Sequence, residues 1–86
     1  MKKRHPIHTN YEVYSAGYVI SYKRPNYPKR LKPLKTSRNH QVNVDGKLYL
    51  LQRFIWETFN GEIPKGHVIY FKDNDNTNFA LDNLGR

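Results

Sequence analysis

The sequence has no cysteine, so neither a disulfide framework nor a thiolate metal site is open to it. It has no apolar run near the roughly 20 residues that a membrane-spanning helix needs. The basic start, Met1 to Pro6, is not followed by the apolar segment of a signal peptide. Acid is scarce in its first half: residues 1–40 hold ten Lys or Arg and a single carboxylate, Glu12, whereas residues 41–86 hold five and six. The net charge of +8 on 86 residues therefore comes from one end. A basic stripe interleaved with aromatics attracts polyanions, and nucleic acid is the usual one. A chain this short makes one small domain that buries about 60–65% of its unfolded surface.

Residues 1–10 read as a basic flexible arm, with His5 and His8 solvated beside Pro6. Tyr11–Tyr14 and Tyr18–Lys23 read as strands around a Ser-Ala-Gly turn, the second with Tyr18, Ile20 and Tyr22 on one face. Prolines at 25, 28 and 33 make Arg24 to Leu34 a loop, expected to be mobile and to lie on a phosphate backbone. Gln41–Val44 and Lys47–Leu50 flank Asp45-Gly46, a pair suited to a two-residue hairpin turn. Val42, Val44, Leu48 and Leu50 are expected to face the core, with Gln41, Asn43, Lys47 and Tyr49 outward. His40, just before the hairpin, is expected to be solvated.

Leu51, Phe54, Ile55, Thr58 and Phe59 recur at helical spacing, which predicts a helix over about 51–60 ended by a left-handed Gly61. His67–Phe71 reads as a last strand. Phe71, Phe79 and Leu81 are expected in the core, and Trp56 at its rim. Asn78 and Asn83 are expected to tie the Asn-rich loop by hydrogen bonds to backbone. The fold class is α+β: a small antiparallel sheet with one main helix, followed by a ββα-type hairpin.

Gln52 to Gly61, Ile63-Pro64, Gly66 to Ile69 and the run Phe71-Lys-Asp-Asn-Asp-Asn-Thr-Asn-Phe-Ala-Leu-Asp-Asn-Leu84 together resemble phage and intron HNH homing endonucleases. Upstream, Tyr11 to Ser21, Lys32-Pro33 and the hairpin resemble the short β-rich DNA-binding module that often precedes an HNH core. The resemblance divides residues 11–86 into a β-rich module (11–50) and an HNH-like core (51–86). It implies a histidine base that activates water, a metal ligand just before it, an Asn about twelve positions later, and a last ligand on a closing helix.

Placed on this sequence, the base position falls on Phe71, which accepts no proton, and the ligand position on Tyr70, a poor partner for a hard cation. Asn83 keeps the orienting amide. The last ligand falls beyond Arg86. The resemblance thus reads as degenerate and C-terminally truncated, with no catalytic residue expected. His67 is the one candidate for a relocated base, about 13 Å along an extended strand from position 71. Asp73, Asp75 and Asp82 stand near amide oxygens, but no metal is expected; Asp73 and Asp75 are the weak candidates. They suit turns and caps better.

The expected function is nucleic-acid binding, to DNA first, without cleavage and without a cofactor. Phosphate contacts are assigned to Arg24, Lys29, Arg30, Lys32, Lys35 and Arg38, with Tyr22 and Asn43 nearer the bases. Two alternatives stay open. One is a phage-type inhibitor or accessory protein that binds a host nuclease complex. The other is an active endonuclease using Mg²⁺ or another divalent cation. A cytoplasmic location, in a phage-infected bacterial host, is the expectation in each case.

Overall fold

Asp45 and Gly46 both take positive φ, 53° and 85°, as a two-residue hairpin turn requires. That turn fixes the register of everything around it. In the computed structural model, which describes residues 1–37 and 39–86, the strands on either side are β6 (His40–Val44) and β7 (Lys47–Leu50). A third strand, β5 (Leu34–Lys35), pairs with β6 to complete a three-stranded antiparallel sheet. Because Val44 pairs with Lys47, Val42 lies opposite Tyr49 and Asn43 opposite Leu48. Cross-strand partners share a face. Tyr49, not Leu48, therefore joins the core side, and Leu48 is left 48% exposed. The expected facing of this strand was off by one residue, which swaps every side chain.

The first 30 residues form a second, four-stranded antiparallel sheet in the order β1 (Lys2–Arg4), β2 (Tyr11–Tyr14), β3 (Tyr18–Ser21), β4 (Lys29–Arg30). The expected flexible arm is thus an edge strand: Lys2 pairs with Tyr14 and Arg4 with Glu12. Its return to the core is driven by His5, which is 3% exposed and stacks on Phe54 at 4.4 Å. His5 Nδ1 accepts the backbone N–H groups of Ile7 and His8, and its Nε2 meets Glu57 at 3.1 Å. The basic loop is likewise shorter than expected, since β4 and β5 take residues out of it.

Helix α1 (Leu51–Asn60) has the bounds that its periodicity predicts. Leu51, Phe54, Ile55 and Thr58 are buried, and the helix packs against both sheets. Buried aliphatic side chains of this kind each contribute about 1.5–3 kcal/mol. Gly61 ends the helix with φ 88° and ψ −171°, an extended geometry open to glycine rather than the left-handed cap expected; its N–H still reaches Glu57 O.

After the helix, strand β8 covers only Tyr70–Phe71, and His67–Ile69 are not strand. A 3-10 turn (Leu81–Asn83) leads into β9 (Leu84–Gly85), which pairs with β8. This segment is fused to the β2–β3 turn of the four-stranded sheet. Leu81 N donates to Ser15 O at 2.8 Å, and a Cβ on Gly17 (φ 113°) would stand 2.8 Å from the Phe79 backbone. Glycine is required there by both contact and dihedral. The α+β class is borne out.

Candidate nucleic-acid interface

Alternation along β1–β4 puts Val13 and Val19 inside and leaves Lys2, Arg4, Glu12, Tyr14, Tyr18, Ile20 and Arg30 on the outer face. The tyrosines there are stacked, not free. Tyr14 and Tyr18 lie 4.6 Å apart with their planes 12° from parallel. The Arg30 guanidinium lies 4.1 Å from the Tyr18 ring centroid, Arg4 lies 4.5 Å from that of Tyr22, and the Lys2 ammonium 5.9 Å from that of Tyr14. Each cation is held on a ring face by the ring quadrupole.

Glu12 organises this face. Its Oε1 accepts from the Tyr14 hydroxyl at 2.9 Å and the Tyr22 hydroxyl at 3.4 Å, while Lys2 and Arg4 each stand 3.8 Å from its carboxylate. The hydrogen bond to Glu12, with burial second, holds the Tyr14 phenol well above the usual tyrosine range. Tyr14 therefore stays a neutral donor. One carboxylate thus fixes two rings and two cations in place, with Arg30 joined through Tyr18.

Beside the sheet, Ser21, Lys23, Arg24, Tyr27, Pro28 and Lys29 line an open cleft of about 500 Å³. Lys23 is anchored at its rim by Asp45, 3.4 Å away. Asp45 also meets His8 Nδ1 at 2.8 Å, and that hydrogen bond first, then Lys23, holds its carboxyl below the usual range. His8 was expected in solvent; it is wedged between Asp45 and the Tyr49 hydroxyl.

Of the residues expected to bind nucleic acid, Tyr22 and Arg30 lie on the outer face, against Arg4 and Tyr18, whereas Arg24 and Lys29 line the cleft beside it. Lys32 is exposed beyond β4. Lys35 and Asn43 belong to the other sheet, and Asn43 Oδ1 is engaged by Gly46 N at 3.0 Å, closing the hairpin turn. Arg38 lies outside the described residues. Lys2, Arg4, Tyr14 and Tyr18 complete the face and were not singled out as a set. Their signal was legible: alternate residues of a basic strand opposite alternate residues of a Glu-x-Tyr strand.

The acid-rich loop is built the other way, closed on itself. Asp73 Oδ1 accepts from Asn83 Nδ2 at 2.9 Å and from Asp75 N at 2.8 Å, and its Oδ2 accepts from Asn78 Nδ2 at 2.9 Å. Asn83 also accepts from Asp73 N and donates to Asn78 O. The bonds from Asn78, Asp75 and Asn83, in that order, hold the Asp73 carboxyl below the usual range. Asp75 Oδ1 takes the N–H and hydroxyl of Thr77. Asn74 sits at φ 62°, the turn position that Asn tolerates.

At the strand before this loop, Phe71 packs edge-on against Phe79 at 5.4 Å. Phe79 in turn packs edge-on against half-buried His40, whose Nδ1 is buried with no partner among the described residues. Tyr70 lies directly over Gly85, where a Cβ would come within 2.6 Å of its ring. His67 is exposed, and its carbonyl accepts from Arg53.

Residues 49–85 match the model of the HNH endonuclease family. The fold agrees over 98% of the chain with the solved structure of the DNA-binding and DNA-cleaving HNH homing endonuclease I-HmuI, at a TM-score of 0.81 and 23% identity. The chain spans half the length of that protein. None of the curated proteins matches it in sequence.

The HNH resemblance implies a divalent cation, and the donors in this HNH segment do not fit one. Positions 70 and 71 offer a phenol over Gly85 and a phenyl ring, while both oxygens of Asp73 and Oδ1 of Asp75 are engaged by amides and a hydroxyl. Among the described residues no three His, Asp or Glu side chains converge.

Proposed function

We propose that this chain is a nucleic-acid-binding protein of HNH descent that holds DNA and does not cut it. The observation that carries the reading is the outer face of the four-stranded sheet, where Lys2, Arg4 and Arg30 are mounted on tyrosines, with Arg24 and Lys29 in the cleft beside that sheet. A pre-positioned array of cations can meet backbone phosphates with less ordering of long side chains on binding. The absence of cleavage rests on Phe71, which stands where HNH chemistry needs a proton acceptor and offers none.

Binding of a duplex oligonucleotide, titrated with salt, tests the first part. Five phosphate contacts predict a log–log slope of about −4.5. A flat salt response overturns it. Incubation with supercoiled plasmid and Mg²⁺ or Mn²⁺ tests the second. Intact plasmid is expected, and nicking abolished by His67→Ala would instead establish a relocated base.

A further inference from the structure

Tyr27 differs from every other tyrosine in the chain. Tyr14, Tyr18 and Tyr22 each carry a ring or a cation on a face, Tyr11 is buried, Tyr49 packs on Phe54 and Tyr70 covers Gly85. The Tyr27 ring is 76% exposed and has no stacking partner among the described residues. Its backbone is nevertheless fixed. Tyr27 N donates to Arg24 O at 2.8 Å, closing a four-residue turn with Pro25 second and Asn26 third, residues suited to those positions. Pro28 follows directly, and Lys29 is pinned opposite Ser21 by β-pairing. Within the cleft, Asp45 holds Lys23, whereas the charged groups of Arg24 and Lys29 have no partner among the described residues.

A bare aromatic face on a prepaid turn, flanked by two unpaired cations, is the pairing of groups that recognises a base and its phosphates together. We infer that this cleft takes a single unstacked nucleotide of a nucleic acid, with Tyr27 stacked on the base and Arg24 and Lys29 on the adjoining phosphates. The cleft's volume of about 500 Å³ falls within the range of small-ligand sites. The stacked tyrosines of the sheet suit this role less, since Tyr14, Tyr18 and Tyr22 each already carry a ring or a cation. They mount cations, whereas Tyr27 carries neither a ring nor a cation among the described residues. The inference rests on the nucleic-acid reading above and makes it more specific: the preferred form has an unpaired nucleotide, in a single strand or displaced from a duplex.

The test uses the full chain and three probes of equal length: a single strand, a fully paired duplex, and a duplex with one unpaired central nucleotide. Tyr27→Ala should weaken binding of the single strand and of the interrupted duplex roughly 5- to 150-fold, the range for loss of one base–aromatic stack. It should leave the paired duplex within twofold. The salt slope should not change, because no charge is removed. Tyr27→Phe should bind as the wild type does. If Tyr27→Ala binds the single strand like wild type, or loses equally on all three probes, the inference is overturned while the nucleic-acid reading stands. If the wild type binds none of the probes, both fall.

Discussion

Two carboxylates, Glu12 on the outer sheet face and Asp73 in the HNH loop, sit in hydrogen-bond networks of similar size and do opposite things. Glu12 gathers tyrosine hydroxyls and long cationic side chains whose charged ends reach solvent. Asp73 gathers short amides and backbone N–H groups from its own loop and leaves nothing reaching out. The difference lies in the partners. Long amphipathic donors can satisfy a carboxylate and still offer charge to a ligand, whereas amides from the same loop satisfy it and close the site. On the proposed reading, the outer sheet face serves as a surface for a polyanion and the acid-rich loop as scaffold.

The largest way to sharpen the contrast is to break the closed network. Asn83→Ala strips three hydrogen bonds from a side chain in a residue only 8% exposed and strands the groups it paired. The expected loss is about 2 kcal/mol. In a domain of this size that lowers Tm by roughly 8–16 °C, read by thermal melting followed by circular dichroism. Affinity for duplex measured well below the melting range should be unchanged, because the loop is scaffold. A large loss of affinity without a loss of stability would show that the loop is part of the interface.

Glu12→Ala should cost less, about 1 kcal/mol, since its cationic partners can turn to water. Its signature is in binding: the tyrosines and Arg4 lose their fixed positions, so duplex affinity should fall even though a negative charge has been removed. Tighter binding would mean that Glu12 only opposes phosphate and organises nothing.

Acid titration separates the loop from the sheet. The carboxyls of Asp73 and Asp45 are held below their unfolded value of about 3.9, so the folded chain binds fewer protons than the unfolded one. Their contribution is complete above that pH and is lost as the pH falls through the lower folded values. Tm measured from pH 6 to 2.5 should therefore hold steady and then drop. Asp73→Asn should start lower and flatten the drop. The smallest effect is that of Arg30→Ala, which should reduce the salt slope of duplex binding by about 1 with little change in Tm.

Much of this was legible beforehand, for identifiable reasons. The helix over 51–60 follows from apolar spacing, and the Asp45-Gly46 turn from dihedral preference, both of which are local. The uneven charge put most of the expected contact residues in the first half, where Tyr22 and Arg30 lie on the outer sheet face and Arg24 and Lys29 line the cleft. The arm was misread because Lys2-Lys-Arg4 looks solvated. What draws it in is His5, whose neighbours Phe54 and Glu57 lie some fifty residues away. Leu48 was assigned to the core for its apolarity, although pairing across a two-residue turn gives that place to Tyr49.

The sequence by itself determined the chemistry available: an excess of cations at one end, a segment resembling HNH endonucleases with rings at positions 70 and 71, and an acid-rich turn. Only the tertiary structure decided which groups are spent on each other and which remain for a ligand. Exposure and pairing depend on residues distant in the chain, such as Glu12 for Tyr22 and Asp45 for Lys23, and local pattern carries no trace of them. Tyr27 looks like any other tyrosine in the sequence. It stands out only once its exposure, 76% against 49% for Tyr70, is seen together with its lack of a ring or cation partner among the described residues.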